Sequence, residues 1–215
     1  MSQSLESPLS HVRRGPKRAS YDAELIHQII DSALLCHIAQ QKEGQCFVVP
    51  TCHWRDGDYF YWHGHAKARN VHGSAQAQQK VCISICQLDG LVLARSAFHH
   101  SVNYRSVCLF GVPEAVTDFD EKARHFKIFL DKVCPERWES LRPITDDEIK
   151  NTGLVRIKIE EASAKLRAEP PVDDAADYDW PVWAGVIPLE QKWGKAQQDP
   201  KQTEPYAEPE QLFAL

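Results

Sequence analysis

The chain has 215 residues, with 25 Lys and Arg against 30 Asp and Glu and a net charge of −5. That length suits one domain, or one domain with appendages. The acidic balance argues against a general nucleic-acid binder, and no apolar run is long enough to span a membrane. The N-terminus MSQSLESPLS lacks a charged start followed by an apolar core, so no signal peptide is expected. The seven cysteines include Cys46, Cys82, Cys86 and Cys108 in strand-like runs, and they are expected as reduced core residues of a cytoplasmic protein.

In chain order, Met1 to Ser10 is expected to be disordered or loosely docked. Val12 to Ser20 places Arg13, Arg14, Lys17 and Arg18 around Gly15-Pro16; it reads as a basic arm or, more commonly for so short a run, a solvated tail. Asp22 caps a helix from Ala23 to about Ala33, with Ile26, Ile29, Ile30 and Ala33 on one face. Leu34–Gln40 and Gln45–Trp54 read as strands joined at Lys42-Glu43-Gly44. Pro50 lies inside the second and cannot donate in a ladder, so that strand is at an edge or bulged there. After the Asp56-Gly57 turn, Tyr59 to His63 forms a third strand, and Ala66 to Gln79, rich in Ala and Gln, reads as a helix.

Lys80 to Leu88 is a fourth strand, and the stretch Asp89–Gly111 supplies two more, with Glu114–Thr117 continuing past a bulge at Gly111-Val112-Pro113. Asp118 and Glu121 open a helix to about Val133, and Pro135 starts a short one through Leu141. Thr145 and Glu148 form a capping box, and Leu154–Ile159 reads as the last strand. From 169 the chain turns Pro-rich and acidic, and this tail cannot build a core alone. Its Trp180–Leu189 segment is expected to dock on the barrel or on a second subunit. The expected division is therefore a basic arm over 1–20, a β domain over 21–168 and an extended tail over 169–215. Short, closely spaced strands with few helices between them describe a mainly β barrel with peripheral helices.

Two stretches carry chemistry. In DGLVLARSAFHHSVNYRSVCLFG, the link between apolar runs holds Arg95, Ser96, His99, His100, Ser101, Asn103, Tyr104, Arg105 and Ser106. Two cations, two imidazoles and several hydroxyl or amide groups suit an anionic, hydrogen-bonding ligand with a flat ring system. A solvated loop on a β protein is the competing reading, about equally weighted on this stretch alone. In YFYWHGHAKARN, an aromatic strand leads through His63-Gly64-His65 into a helix start bearing Lys67 and Arg69. Free N–H groups and the dipole make a helix N-terminus a natural place for phosphate, and cations oppose that dipole unless an anion lies between.

Together with VRRGPKRASYD, VVPTCHW and WPVWAGVIPL, these stretches resemble the pyridoxamine 5′-phosphate oxidase-like FMN-binding split barrels. The match is closer to their flavin-nucleotide-binding subgroup, which includes the nitroimidazole-resistance reductases. The resemblance spans most of Val12 to Leu189. It implies a six-stranded split barrel, a homodimer, and one flavin mononucleotide in each of two clefts at the interface. It also implies residue roles. Arg18 reaches the flavin side from the arm, and backbone groups near Pro50, Thr51 and Cys52 pass beside the ring. Arg69, helped by Lys67, binds phosphate at the turn lined by His63 and Ala66. Arg95, Ser96, Ser101, Asn103 and Arg105 contact ribityl, phosphate or ring, with His99 and His100 near the ring's open face.

Asn70 stands where family members often carry Lys, which removes one cation from the expected phosphate site. The chain also lacks an obvious counterpart of the family's Arg-rich carboxy-terminal segment, so pyridoxamine phosphate is not the expected substrate. The expected function passes electrons from a reduced nicotinamide donor through FMN to a small-molecule acceptor, with His100 the first candidate for proton handling. A non-enzymatic flavin or haem carrier or sensor is the alternative, since relatives of this barrel bind haem through histidine. A structural homodimer with an empty cleft is a third reading. The histidines show no zinc spacing, and neither G-x-S-x-G nor a strand leading into G-x-G-x-x-G occurs.

Overall fold

The computed structural model describes residues 3–68, 71 and 78–214. Its strands are β1 (Ala19–Ser20), β2 (Leu35–Lys42), β3 (Gln45–Asp56), β4 (Tyr59–His65), β5 (Val81–Leu93), β6 (Ser101–Gly111), β7 (Glu114–Val116), β8 (Thr152–Lys158), β9 (Ala162–Arg167) and β10 (Gly185–Pro188). Among the described residues three α-helices, α1 (Ala23–Asp31), α2 (Phe119–Val133) and α3 (Asp146–Asn151), lie around them. The strands form one sheet in the order β1-β9-β6-β5-β2-β3-β4-β8-β7, with β10 added to β5. Every recorded pairing is antiparallel, and the sheet does not close on itself: a split barrel with peripheral helices.

Alternation builds the core. Ile83 and Ile85 of β5, Val107 and Leu109 of β6, Phe60 and Trp62 of β4, and Val155 and Ile157 of β8 point inward and are essentially inaccessible. Helix α1 joins them because Asp22 accepts the Leu25 N–H at its N-cap and Ile26, Ile29 and Ile30 share one buried face. Each such side chain contributes about 1.5–3 kcal/mol by leaving water. The β3–β4 hairpin turns at Gly57, whose φ of 57° favours glycine. The capping box at Thr145–Glu148 is formed. Among the described residues no helix is long and apolar enough to cross a membrane.

Several expectations are corrected. The amino-terminal segment is part of the fold: Leu5 is 2% exposed, its N–H donates to Tyr21 O, and its carbonyl accepts from Ala162 N–H. Glu114–Val116 does not continue β6; past Pro113 it crosses to pair with β8. Strand β9 follows the expected last strand and pairs with β6 and β1. Its inward residues are Ala162 and Ala164, opposite Leu109 and Val107, so it fills a tight layer without an apolar run to announce it. Only Cys36 and Cys134 are buried. Cys46 and Cys86 are exposed and Cys82 and Cys108 half-buried, because all four belong to the outward rows of their strands; all seven thiols are free. Of the expected Ala66–Gln79 helix, Ala66 and Lys67 form a turn, while 69–70 and 72–77 lie outside the described residues.

Candidate functional site

The Arg95–Arg105 connection is a tight structure. After β5 the chain makes a short 3₁₀ turn, Ala97–His99, and enters β6 at Ser101, which pairs with Val92. Its first two residues are gripped from far along the chain. Asp173 Oδ1 accepts the backbone N–H groups of Arg95 (2.9 Å) and Ser96 (3.4 Å), and Oδ2 accepts Arg95 Nη1 (3.1 Å). The Asp173 side chain has no exposed surface. Burial alone pushes its carboxyl upward, but the bonds from Arg95 and Ser96 outweigh this and hold it below the usual carboxylate value. The Tyr178 ring lies 5.0 Å from the Arg95 guanidinium.

Two polar atoms of this turn are left over. Arg95 Nε and Ser96 Oγ are buried and have no hydrogen-bond partner among the described residues. A buried donor without a partner costs about 1–3 kcal/mol, so native structures seldom leave two on successive residues. Beside them His100 Nδ1 donates to Ser96 O at 2.8 Å, leaving Nε2 as its open nitrogen. His99 Nε2 lies 3.5 Å from Asp174, and its ring meets the edge of Phe98, which is 89% exposed.

Other candidates are committed elsewhere. Asn103 is buried, and its Oδ1 accepts from Arg167 and from Glu169 N–H. Arg105 makes a two-pronged pair with Asp89 at 2.9–3.1 Å. Arg18 sits 3.7 Å from Glu169, so the arm does approach the Asn103–Arg167 network. Pro50, Thr51 and Cys52 lie opposite His37, Cys36 and Leu35 of β2, whereas pairing of β3 with β4 begins only at His53. Around Pro50, β3 is therefore an edge, as a proline requires.

The His63–Lys67 turn differs from its expectation. His63 packs into an aromatic cluster, 5.6 Å from Trp54 and 4.8 Å from Phe129, and burial lowers its pKa. Ala66 N–H donates to Asn151 O, and Lys67 N–H to His65 Nδ1. The adjoining groove, about 550 Å³, is lined by His63, His65, Asp147 and Glu148, whose carboxylates do not favour a phosphate. Arg69, the proposed phosphate ligand, lies outside the described residues.

The outward face of the sheet is covered by α2 over β4 and β8, where Tyr61 and Leu154 pack with Ile128 and Phe129, but among the described residues it is left open over β2, the start of β3, β5, β6 and β10. Val48, Leu35, Leu88, Leu91, Val102 and Ile187 are 38–59% exposed, and Ile187, Leu91 and Val102 form one row across β10, β5 and β6. Gly90 allows that row, since a Cβ there would lie 2.7 Å from Ile187 O. The tail thus docks through β10, while Trp180 and Trp183 stay 66% and 62% exposed. Sequence reasoning missed Asp173, Asp89, Arg167 and Tyr178. Nothing local marks Asp173, whose partners lie 77 and 78 residues away.

Comparison with known proteins agrees with this architecture. The family described as pyridoxamine 5′-phosphate oxidase matches residues 22–166. The flavocytochrome Anf3 from Azotobacter vinelandii is 40% identical, with a TM-score of 0.89 over 95% of this chain and 94% of that one. The FAD and haem binding protein from Mycobacterium smegmatis is 29% identical, with a TM-score of 0.82 over 86% of this chain and 91% of that one. A protein described as a 5-nitroimidazole antibiotic resistance protein, from Bacteroides thetaiotaomicron, shares the fold at 21% identity and a TM-score of 0.58, over 69% of this chain and 86% of that one. No curated protein matches the chain. With two thirds of its length matched from the α1 cap to β9, the chain belongs to the pyridoxamine 5′-phosphate oxidase family.

Proposed function

We propose that this chain binds a flavin at the Arg95–Ser101 turn and uses it to pass electrons from a reduced nicotinamide donor to a small-molecule acceptor. The observation that carries the reading is the pair of buried, unpartnered donors, Arg95 Nε and Ser96 Oγ. A flavin's phosphate, ribityl or ring oxygens are acceptors of the right kind. Both donors are screened from solvent, so the cofactor must take the place of part of their cover. The flavin supplies the redox chemistry when bound; the protein's part is to orient it, donate hydrogen bonds and exclude water. His100 remains the candidate for moving a proton, through Nε2.

FMN is the form implied by the sequence motifs, whereas FAD is named for the Mycobacterium smegmatis relative. A second reading, an electron carrier holding haem as well as flavin, is favoured by the names of both of the more similar structures. The uncovered face around Leu35, Val48 and Leu91 supports a homodimer with flavin near the interface, and a cytoplasmic setting accords with the free thiols.

The test is the absorption spectrum of the purified protein, followed by titration of the apo form with FMN, FAD and riboflavin. Flavin bands are expected, with preference for a phosphate-bearing form. A Soret band beside them selects the flavin–haem reading. A colourless protein that binds none of the three would refute the proposal. Light scattering should give a dimer, and a flavin-loaded monomer at micromolar concentration would remove the interface from it.

A further inference from the structure

We propose that Asp173 is a positioning residue of the flavin site, holding the Arg95–Ser96 turn so that Arg95 Nε and Ser96 Oγ are set toward the cofactor's oxygen atoms. The proposal rests on the flavin reading above and adds a part of the chain beyond residue 166, where the family match ends.

Three contacts make the argument. Asp173 takes two successive backbone N–H groups, Arg95 and Ser96, which fixes the path of the turn. It also takes Arg95 Nη1, which fixes the guanidinium rotation and spends one end of it. Nε is then left in a set direction, with Tyr178 against one face of the fork. Without the carboxylate, a long arginine side chain would keep its rotamer freedom and turn toward water, and ordering it on binding would weaken affinity. A side chain with no exposed surface keeps its charge only when its lone pairs are filled, and here one turn fills them. The neighbouring Asp174 approaches His99, so the 173–178 segment engages the site at Arg95, Ser96 and His99.

The experiment compares full-length wild type, Asp173→Asn, Asp173→Glu, Arg95→Ala and the double variant Arg95→Ala/Asp173→Asn. Flavin affinity is read by titration with FMN and FAD, together with visible circular dichroism of the bound flavin and melting of the apo proteins. Asn retains an oxygen for the backbone donors but not the charge that fixes Arg95. It should weaken binding about ten- to a hundredfold and change the flavin's visible dichroism. Glu should restore part of both. The double variant should bind no worse than Arg95→Ala alone, because Asp173 acts through Arg95. Additive losses, or a folded Asp173→Asn protein with wild-type affinity and dichroism, overturn the proposal. Wild-type protein that binds no flavin sinks the parent reading, and this proposal with it.

Discussion

The two faces of β5 set the interior against the outside. Its inward row, Val81, Ile83 and Ile85, is 0–3% exposed and belongs to one buried cluster with residues of β6, α1 and β8. Its outward row runs Cys82, Ser84, Cys86 and Leu88, with Leu88 42% exposed. The histidines divide the same way. His53 is fully buried, stacked 4.8 Å from Phe60, with Nε2 donating to Ile30 O. His125 is buried under Trp54, whose Nε1 donates to its Nδ1. His99 and His100 instead sit on the turn with the unpartnered donors. One face of the strand is answered within the chain; the other presents apolar surface that none of the described residues covers. Stability should therefore reside on the first and binding on the second.

The largest expected effect breaks the interior. Ile83→Ala should cost about 2–5 kcal/mol and lower the melting temperature by several degrees. Acid should act next. Burial, aided by the Lys132 charge, holds His53 down to about 3, and burial with Arg124 holds His125 at about 4. Both are neutral in the fold and titrate near 6.5 in the unfolded chain. The unfolded state therefore binds more protons below 6.5, so this stability is complete above 6.5 and lost as pH falls toward 4. The slope is about 1.4 kcal/mol per pH unit for each histidine. Melting curves between pH 7 and 4.5 read it directly, and a flat profile would contradict neutral burial. Lys132, lowered to about 8 by burial, works at the other end: from pH 8 to 10.5 stability should rise.

Smaller effects sharpen the contrast. Thr145→Ala removes the acceptor of Glu148 N–H and should cost about 1 kcal/mol, measured by urea unfolding. Leu88→Ala, on the outward row, should change monomer stability by no more than about 0.5 kcal/mol. If Leu88→Ala instead matched Ile83→Ala in dilute protein, the outward face would be core and the comparison would fail.

Much of the fold was legible because its signals are local. Asp22, Thr145 and Asp56-Gly57 act within a few residues, and the alternation in β5 and spacing in α1 repeat within one element. The family resemblance was legible through the order of several loose motifs. What the sequence alone determined was thus the strand pattern, the helix starts, the edge character at Pro50 and the turn that gathers Arg95, Ser96, His99 and His100. The tertiary structure decided how that turn is used. It engaged Asn103 with Arg167 and Arg105 with Asp89, and packed His63 among aromatic rings. It also brought Asp173 to Arg95 and Ser96, and β10 to β5. The Asn103–Arg167, Asp173–Arg95 and β10–β5 pairings join residues far apart in the chain, where charge and hydrogen-bond complementarity leave no periodic trace; only the pairing of distant strands in the sheet brings these partners within reach.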